Sequence, residues 1–445
     1  MDLWTVGLIT LVLLVGIILL GWQIATSLII VSFLGVWLYT GDFFIALRML
    51  GTTAYNSINT YSLGVIPLFV LMGLLSNLSG ASSDLYVAAN LLLRRVRGGL
   101  AVATIVANAF FAAITGVTVA SAAIFSKVSL PEMKRANYDL PFAAGTVAGG
   151  SVLGMLIPPS LLMILYGPMA EVSVGSLFIA GILPGLLLAL IYIIGILIIT
   201  YVSPETVGFG LEPADEMSDE KVNFKWSVIL KPWPVLLLIV LVLGGIWFGL
   251  FTPTEAGGVG AFGALLLALY KKKVTCRALL STLLETGVTA GSIFIMLMSA
   301  QMYSRMLAIS GVVNALADIL TRLNLAPVVI VFFFMGVILI MGTLIDSISI
   351  LLLTMPLMIP VVSAFGMDLV WFGVIAILAT QIGLVTPPFG LGVFTIKASL
   401  TDELNELLEI EDIFKGSFPY FIMMTICLVI LVLFPKITTY LPALM

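Results

Sequence analysis

The chain has 445 residues, of which 61% are hydrophobic and 9% are charged, and its formal net charge is −4 at pH 7. Because a soluble domain carries about 25% charged residues, this composition excludes an ordinary soluble protein and predicts an all-α polytopic membrane protein. The weak net charge indicates no nucleic-acid partner, and the lack of histidine excludes HExxH metalloprotease chemistry and nucleophile activation by histidine.

The chain begins with apolar runs that are long enough to cross a membrane. Residues 3–20 lack a basic start and a small-residue cleavage site, so we expect a retained first helix, followed by a second span at 24–39. Residues 41–57 have apolar side chains at helical spacing, which predicts an interfacial helix, with a plain loop as the alternative. A third span at 62–78 precedes the basic cluster at 94–97, which predicts a cytoplasmic location for that cluster.

Residues 99–131 are mostly small and apolar, and Thr115-Gly116-Val117-Thr118 interrupts them. Basic residues flank both ends, so both ends are expected on the cytoplasmic side, as in a re-entrant hairpin. Each arm has only about fifteen residues, fewer than the roughly twenty that span a bilayer. The alternative is a pair of ordinary helices joined by a short turn.

The next stretch, residues 143–166, is apolar but carries Pro158-Pro159 in its middle. Proline removes a helical hydrogen bond and clashes with the preceding turn, so the helix should break there. The freed backbone groups are tolerated only where protein or a polar cavity satisfies them. We expect this broken helix to cross outward and a span at 176–201 to return, which completes a first repeat at 1–202.

Residues 203–231 form the only long polar segment and predict a cytoplasmic linker between two halves. The second half, residues 232–445, shows the same order of elements as the first. Its predicted elements are spans at 232–250, 256–270 and 285–307, a hairpin at 327–362 interrupted at 342–347, a broken helix at 368–394 and a last span at 418–433.

The two broken helices share a motif. Gly154-x-x-Ile157-Pro158-Pro159 corresponds to Gly383-x-x-Thr386-Pro387-Pro388. If each half has about five full crossings, an odd number, the second half is inverted relative to the first, and both termini lie outside. Matched broken helices in two inverted repeats indicate the binding site of a transporter.

The four interruptions are expected to meet near the midplane of the membrane. Unwound carbonyls with Thr and Ser hydroxyls form a hard-oxygen environment that suits a small cation, while half-helix N-termini favour an anion. Asp346 is the one acid inside an apolar run. It is predicted either to bind a ligand or to cap the following half-helix, and both alternatives stay open.

Several motifs resemble the large membrane subunit of the tripartite ATP-independent periplasmic (TRAP) transporters. They are Ile66-Pro67-Leu68-Phe69, Pro131-Glu132-Met133, the segment at 154–159, Phe251-Thr252-Pro253-Thr254-Glu255-Ala256, and the segments at 341–347 and 383–390. The resemblance implies sodium-coupled uptake of a small organic acid anion, such as a C4-dicarboxylate or sialic acid, across the bacterial inner membrane. It implies an elevator motion of a hairpin-bearing transport domain against a scaffold, and no enzymatic activity.

The same resemblance implies partners and site residues. The partners are a small four-helix membrane subunit, expected here as a separate polypeptide, a soluble periplasmic binding protein, and membrane lipid. The implied Na⁺ ligands are Thr115, Thr118, Gly154, Ile157 and Pro159 in a first site, and Gly342, Gly383, Thr386 and Phe389 in a second. Candidate substrate-binding residues are Thr115, Ser160, Asp346 and Ser347. The family often has Ser-Gly-Ser-Ser where this chain has Thr115-Gly116-Val117-Thr118. The hydroxyls at the two outer positions are kept, whereas Val117 has none.

Three alternatives compete with this interpretation. A stand-alone sodium/dicarboxylate symporter with a related two-hairpin fold would need no binding protein, and an ion channel would lack saturable uptake. An intramembrane enzyme would need a nucleophile, a base or a metal-ligand set, and the sequence shows none of these.

Overall fold

The computed structural model describes residues 3–93, 95–207 and 226–445. These residues form α-helices joined by short turns, and no β-strand occurs within the described ranges. Residues 208–225, most of the linker predicted at 203–231, lie outside the described ranges.

The helices of the two halves follow one another with few intervening residues. The first half contains α1 (Leu3–Leu19), α2 (Ile24–Thr40), α3 (Phe43–Ile58), α4 (Val65–Leu78), α5 (Ala81–Leu93), α6 (Gly99–Thr115), α7 (Thr118–Val128), α8 (Leu130–Arg135), α9 (Leu140–Leu156), α10 (Leu161–Ala170) and α11 (Val174–Val202). The second half contains α12 (Trp226–Ile229), α13 (Trp233–Trp247), α14 (Pro253–Tyr270), α15 (Cys276–Ser310), α16 (Val312–Arg322), α17 (Pro327–Gly342), α18 (Ser347–Ala364), α19 (Leu369–Gly383), α20 (Leu391–Ser399), α21 (Asp402–Leu407), α22 (Ile410–Leu433) and α23 (Lys436–Thr439).

Local sequence explains where several of these helices begin. An aspartate precedes each of the two helices that lead into a proline break: Asp139 accepts a hydrogen bond from the Phe142 N–H, and Asp368 accepts one from the Trp371 N–H. Such caps satisfy N–H groups that a helix leaves unpaired at its start. The start of α14 has a complete capping box, in which Thr252 and Glu255 each bond the other's backbone N–H.

Within the described ranges, five helices are long and apolar enough to be candidate membrane spans. They are Leu140–Ala170, Val174–Val202, Cys276–Ser310, Ser347–Ala364 and Ile410–Leu433, and the pair α4 and α5, bent by 62°, makes a sixth if it is one span. The shorter apolar helices include α6 and α17, the first arms of the two predicted hairpins. The chain is therefore a multi-pass membrane protein of helices with unequal length.

The helix α15 runs well beyond its predicted span of 285–307, because it begins at Cys276. A prediction from hydropathy starts the span only after the polar residues in the first turns of the helix. In the structure the hydroxyls of Thr282 and Thr286 donate to the carbonyls of Ala278 and Thr282, so the helix satisfies these polar groups itself. The following helix, α16, was not predicted.

The helices pack in two groups. In one group α1, α2, α3, α15 and α16 share a small apolar cluster that includes Leu28, Val31, Tyr303 and Met306, and Leu353 of α18 also belongs to it. The larger core joins α4 with α14 and packs the hairpins and broken helices against α11 and α22. Both halves contribute to this larger core, so neither half forms a separate unit.

Ion pairs connect distant parts of the described chain. Lys271, at the end of α14, pairs with Asp84 on α5, and Leu230 and Lys231 line the same surface cleft. Lys134 donates to Glu403 at 2.6 Å, which links α8 of the first half to α21 of the second. The Lys134 ammonium holds the pKa of the Glu403 carboxyl below its ordinary value.

Candidate ion and anion site

The turn of the first hairpin packs against the first helix break. The Leu161 N–H donates to the Gly116 carbonyl at 3.2 Å, and a Cβ on Gly116 would lie 2.5 Å from the Pro159 carbonyl oxygen. Gly116 also has φ of +62°, so the turn requires glycine on both grounds. A Cβ on Gly154 would lie 3.2 Å from the Val117 carbonyl oxygen, which puts the end of α9 beside the same turn.

The residues predicted for the first cation site therefore lie together around this turn. Thr115 donates its hydroxyl hydrogen to the Phe111 carbonyl at 3.1 Å, and Thr118 donates to the Gln381 side-chain oxygen at 2.7 Å. A hydroxyl has one hydrogen and two lone pairs, so both oxygens can still accept or coordinate. Ile157 follows α9 in an extended conformation, and the Pro158-Pro159 peptide bond is cis.

The second hairpin and the second break meet in the same way. The Phe389 N–H donates to the Thr343 carbonyl at 3.1 Å, as Leu161 does to Gly116 in the first half. A Cβ on Gly342 would lie 2.7 Å from the Cα of Gly383, so α17 and α19 touch through their backbones. The Pro387-Pro388 bond is also cis. Each half thus holds a hairpin turn against a proline break through a backbone hydrogen bond.

The two breaks differ in exposure. Pro158 and Pro159 are buried, whereas Pro387 and Pro388 are exposed and Phe389 is 53% exposed. Thr386, which is half-buried, donates its hydroxyl to the Ile382 carbonyl at 2.7 Å. The first group of oxygens is therefore enclosed by protein, and the second opens to the protein surface.

Among the residues predicted to bind substrate, Ser160 and Asp346 both cap helices. The fully buried Ser160 hydroxyl donates to the Met155 carbonyl and accepts from the Met163 N–H at the start of α10. Asp346 accepts from the backbone N–H groups of Ile348 and Ser349 at 3.1 Å each, and from the Ser349 hydroxyl. Both carboxylate oxygens of Asp346 are therefore engaged with α18.

The other two predicted substrate residues belong to different hairpins. Ser347 is the buried first residue of α18, and Thr115 ends α6. No hydrogen bond within the described ranges joins Asp346 or Ser347 to Thr115 or Ser160. The structure thus groups the predicted cation ligands of each half around a hairpin turn and a proline break.

Two buried amides belong to this region although sequence analysis did not select them. Asn108 accepts from the Ser121 hydroxyl at 2.6 Å, which joins the two arms of the first hairpin. Gln381 accepts from Thr118, as described above, and is fully buried on α19. The available signal was a lone polar amide inside an otherwise apolar run, a pattern that marks functional positions in membrane proteins.

Charged ligands are scarce around these oxygens. In residues 3–93, 95–207 and 226–445, no group of three or more His, Cys, Asp or Glu side chains could hold a metal ion. A cation at either turn would therefore be bound by carbonyl and hydroxyl oxygens. Neutral oxygen ligands suit a hard, weakly charged ion better than a transition metal.

A cavity of about 510 Å³ lies at the start of α14, the helix that ends before Lys271. It lies among the end of α3, the turn between α10 and α11, the start of α14 and one side of α15. Its polar lining includes Asn56, Glu171, Ser173, Thr252, Gln301 and Arg305. Within the described part of the chain, no hydrogen bond or ion pair involves the Arg305 guanidinium. The cavity has the size of a small-ligand site and offers an unpaired cation.

Comparison with known proteins identifies similar chains over nearly the full length. The family described as "Tripartite ATP-independent periplasmic transporter, DctM component" matches residues 11–437. The chain is 31% identical to the sialic acid TRAP transporter large permease protein SiaM of Vibrio cholerae, with 96% of each chain covered. It is 30% identical to the C4-dicarboxylate TRAP transporter large permease protein DctM of Pseudomonas aeruginosa, with 89% of this chain and 90% of the relative covered.

Solved transporter structures share the fold. The Alcanivorax borkumensis YdaH transporter superposes with a TM-score of 0.59 at 16% sequence identity, and the match covers 88% of each chain. At this identity the likeness concerns the helical architecture alone.

Proposed function

This chain belongs to the DctM component family of the tripartite ATP-independent periplasmic transporters, and on that basis we propose that it takes up a small organic acid anion together with Na⁺. It acts as a membrane permease and not as an enzyme. The proposed location is the bacterial inner membrane. The proposed partners are a small membrane subunit and a periplasmic substrate-binding protein, with lipid around the apolar helices.

The observation that carries the Na⁺ proposal is the repeated contact between hairpin turn and proline break. In each half a residue one or two positions after the paired prolines donates its backbone N–H to the hairpin turn: Leu161 to Gly116, and Phe389 to Thr343. Each contact brings unwound carbonyls next to a threonine hydroxyl, at Thr118 and at Thr386. Two such sites, one in each repeat, support coupling to about two Na⁺ ions.

The proposed substrate is a carboxylate, as the names of the relatives suggest. The Arg305 guanidinium in the cavity at the start of α14 can bind a carboxylate in a bidentate manner, although the Glu171 carboxylate also lines the cavity. The turn between α10 and α11 and the start of α14, which flank the cavity, are both predicted on the outer face. We propose that the anion delivered by the binding protein first occupies this cavity.

The proposed transport motion is of the elevator type. The hairpins and broken helices pack with α11 and α22 in the larger core, whereas α1, α2 and α3 pack on α15 and α16 in the smaller cluster, and α18 of the second hairpin contributes to both. The Na⁺ oxygens lie in the first group and Arg305 in the second. Movement of one group against the other would carry the bound ions away from the outer cavity.

The tripartite proposal predicts that the purified chain, alone in proteoliposomes, does not concentrate succinate or N-acetylneuraminate under an inward Na⁺ gradient. Addition of the small subunit and the binding protein should start uptake. Two Na⁺ ions with a monovalent acid would move one net charge, worth about 2.3 kcal/mol per 100 mV, so a negative interior should accelerate uptake. Robust Na⁺-driven uptake by the chain alone would instead support a stand-alone symporter.

The outer-cavity proposal predicts a loss of substrate affinity in Arg305→Gln. A charge-assisted hydrogen bond contributes about 1.5–3 kcal/mol, so the half-saturating substrate concentration should rise by about tenfold or more. Uptake by the assembled complex at varied substrate concentration measures this change. Arg277→Gln, an exposed arginine at the far end of α15, is the matched control. Equal half-saturation in both variants would place the anion elsewhere.

A further inference from the structure

A hydrogen bond between two buried side chains joins the halves of the protein next to both proposed cation sites. The Thr118 hydroxyl, at the first residue of α7, donates to the side-chain oxygen of Gln381 on α19 at 2.7 Å. Thr118 is 1% exposed and Gln381 is fully buried. The two residues are 263 positions apart in the chain.

This bond uses the Thr118 hydroxyl as a donor, so towards any other partner the hydroxyl oxygen can only accept or coordinate. Its single hydrogen is committed to the amide oxygen, so the lone pairs of its oxygen remain for another partner. A cation is bound by lone pairs and is repelled by a hydroxyl hydrogen. We propose that Gln381 is a positioning residue that holds the Thr118 hydroxyl as a ligand for the coupling cation of the first site. This inference rests on the proposed Na⁺ coupling.

The other end of the Gln381 amide supports this role. Its nitrogen is buried and has no hydrogen-bond partner among the described residues. An unpaired buried donor is unfavourable, so an apolar side chain of similar size would suit a purely structural position better. The presence of a glutamine at this position is therefore best explained by its side-chain oxygen, which accepts the hydrogen bond from Thr118.

The position of Gln381 also couples the two sites. It lies in the last turn of α19, two residues before Gly383, whose backbone touches Gly342 of the second hairpin. The same helix end then leads to Thr386. A cation that orders this helix end at the second site would also order the Gln381 oxygen for the first. Binding at the two sites should therefore be cooperative, and the coupling is reciprocal.

The test uses the purified full chain and Na⁺ alone. Thermal unfolding is measured at increasing NaCl, with choline chloride keeping the ionic strength constant, because a ligand that binds only the folded state raises its stability with concentration. Gln381→Leu removes the acceptor, Gln381→Glu keeps an acceptor oxygen, and Thr118→Val removes the proposed ligand. Thr380→Val is the matched control, since that buried hydroxyl bonds only to the Ala376 carbonyl of its own helix.

Partners that orient a metal ligand typically contribute about 10- to 100-fold to metal affinity. We therefore expect Gln381→Leu to raise the Na⁺ concentration for half-maximal stabilisation by about tenfold and to reduce the cooperativity of the response. Thr118→Val should have at least the same effect. Gln381→Glu and Thr380→Val should keep the wild-type midpoint or, for Glu, lower it. A purely structural role would lower stability without Na⁺ and leave the midpoint unchanged.

Two results would overturn the inference while the proposed function stands: a wild-type midpoint in Gln381→Leu, or an equal loss in Gln381→Glu and Gln381→Leu. If Gln381→Leu does not fold, Gln381→Met, which is unbranched and also lacks an acceptor oxygen, takes its place under the same criteria. Failure of Na⁺ to stabilise the wild-type chain, with choline and Na⁺ indistinguishable, would overturn the proposed Na⁺ coupling itself.

Discussion

Gly145→Val is expected to prevent the chain from accumulating as a folded protein. At this point α9 crosses α22, and a Cβ on Gly145 would overlap the Gly416 carbonyl, while one on Gly416 would overlap the Pro141 carbonyl. Both obstacles are backbone atoms, so no side chain can rotate away. Membrane helices associate through such small-residue contacts because lipid offers no hydrophobic gain for their association.

The crossing also carries a polar contact that the larger side chain would break. Thr146, the residue after Gly145, and Tyr420, one turn after Gly416, have their hydroxyls 2.7 Å apart in a buried hydrogen bond. Overpacking of a well-packed core costs about 1–3 kcal/mol, and the loss of this bond adds to it. We expect no monodisperse peak for Gly145→Val in fluorescence-detected size-exclusion chromatography.

A matched control separates this effect from a general intolerance of β-branched residues in helices. Gly287 lies on the exposed side of α15, and a Cβ there meets no atom within 4 Å. Gly287→Val should elute like the wild-type chain. A wild-type elution profile and thermal stability for Gly145→Val would show that α9 and α22 do not cross as closely as described.

Gly383→Ala is expected to abolish coupled transport in a chain that still folds. A Cβ on Gly383 would overlap the Cα of Gly342 and lie 2.9 Å from the Leu339 carbonyl oxygen. The second hairpin must then move away from α19, which strains the bond between Phe389 and Thr343. The rest of α19 is buried from Trp371 to Gly383 and keeps the helix in place.

The expected loss follows from the sensitivity of cation sites to the groups around them. Displacement of groups that orient metal ligands typically costs about 10- to 100-fold in affinity, so uptake at physiological Na⁺ should fall below detection. Initial uptake rates at varied Na⁺ in the reconstituted complex measure this loss. Gly336→Ala, at an open position of the same hairpin arm, should behave as the wild type. Normal uptake with unchanged Na⁺ dependence in Gly383→Ala would remove the second site from the mechanism.

The two glycine substitutions differ in consequence although both introduce a side chain between touching backbones. The contact between Gly145 and Gly416 lies within the long helices α9 and α22, and the packing of their facing sides requires this close approach. The contact between Gly342 and Gly383 lies at the ends of helices, where the chain unwinds and can adjust. The first contact is therefore a requirement for folding, and the second is a requirement for the geometry of a binding site.

Much of the fold class follows from local sequence. Composition predicted a helical multi-pass membrane protein, and the paired prolines predicted the two helix breaks, after α9 and after α19. The motifs around those prolines also carried the resemblance to the family, which the match over residues 11–437 confirms. Chain breaks and apolar periodicity are properties of neighbouring residues, so a sequence expresses them directly. The inverted topology and the elevator motion stay predictions.

Other features depended on contacts between residues far apart in the chain. The helix α15 is longer than predicted because threonine hydroxyls in its first turns donate hydrogen bonds to carbonyls of the same helix. A hydropathy scale does not include such bonds. Asp346 could serve as a ligand or as a cap from sequence alone, and the structure shows the capping contacts. Arg305 lines one cavity together with the ends of α3 and α10 and the start of α14, and these segments are far apart in the chain.

The class of protein, the helix breaks and the small oxygen-bearing residues around each turn can all be read from local sequence. The hydrogen bond from Thr118 to Gln381 and the different burial of the two proline breaks depend on tertiary packing. The physical reason is that a side chain's partner depends on packing across the whole core. No spacing near Thr118 indicates a glutamine in the other half, whereas a proline breaks a helix wherever the rest of the chain lies.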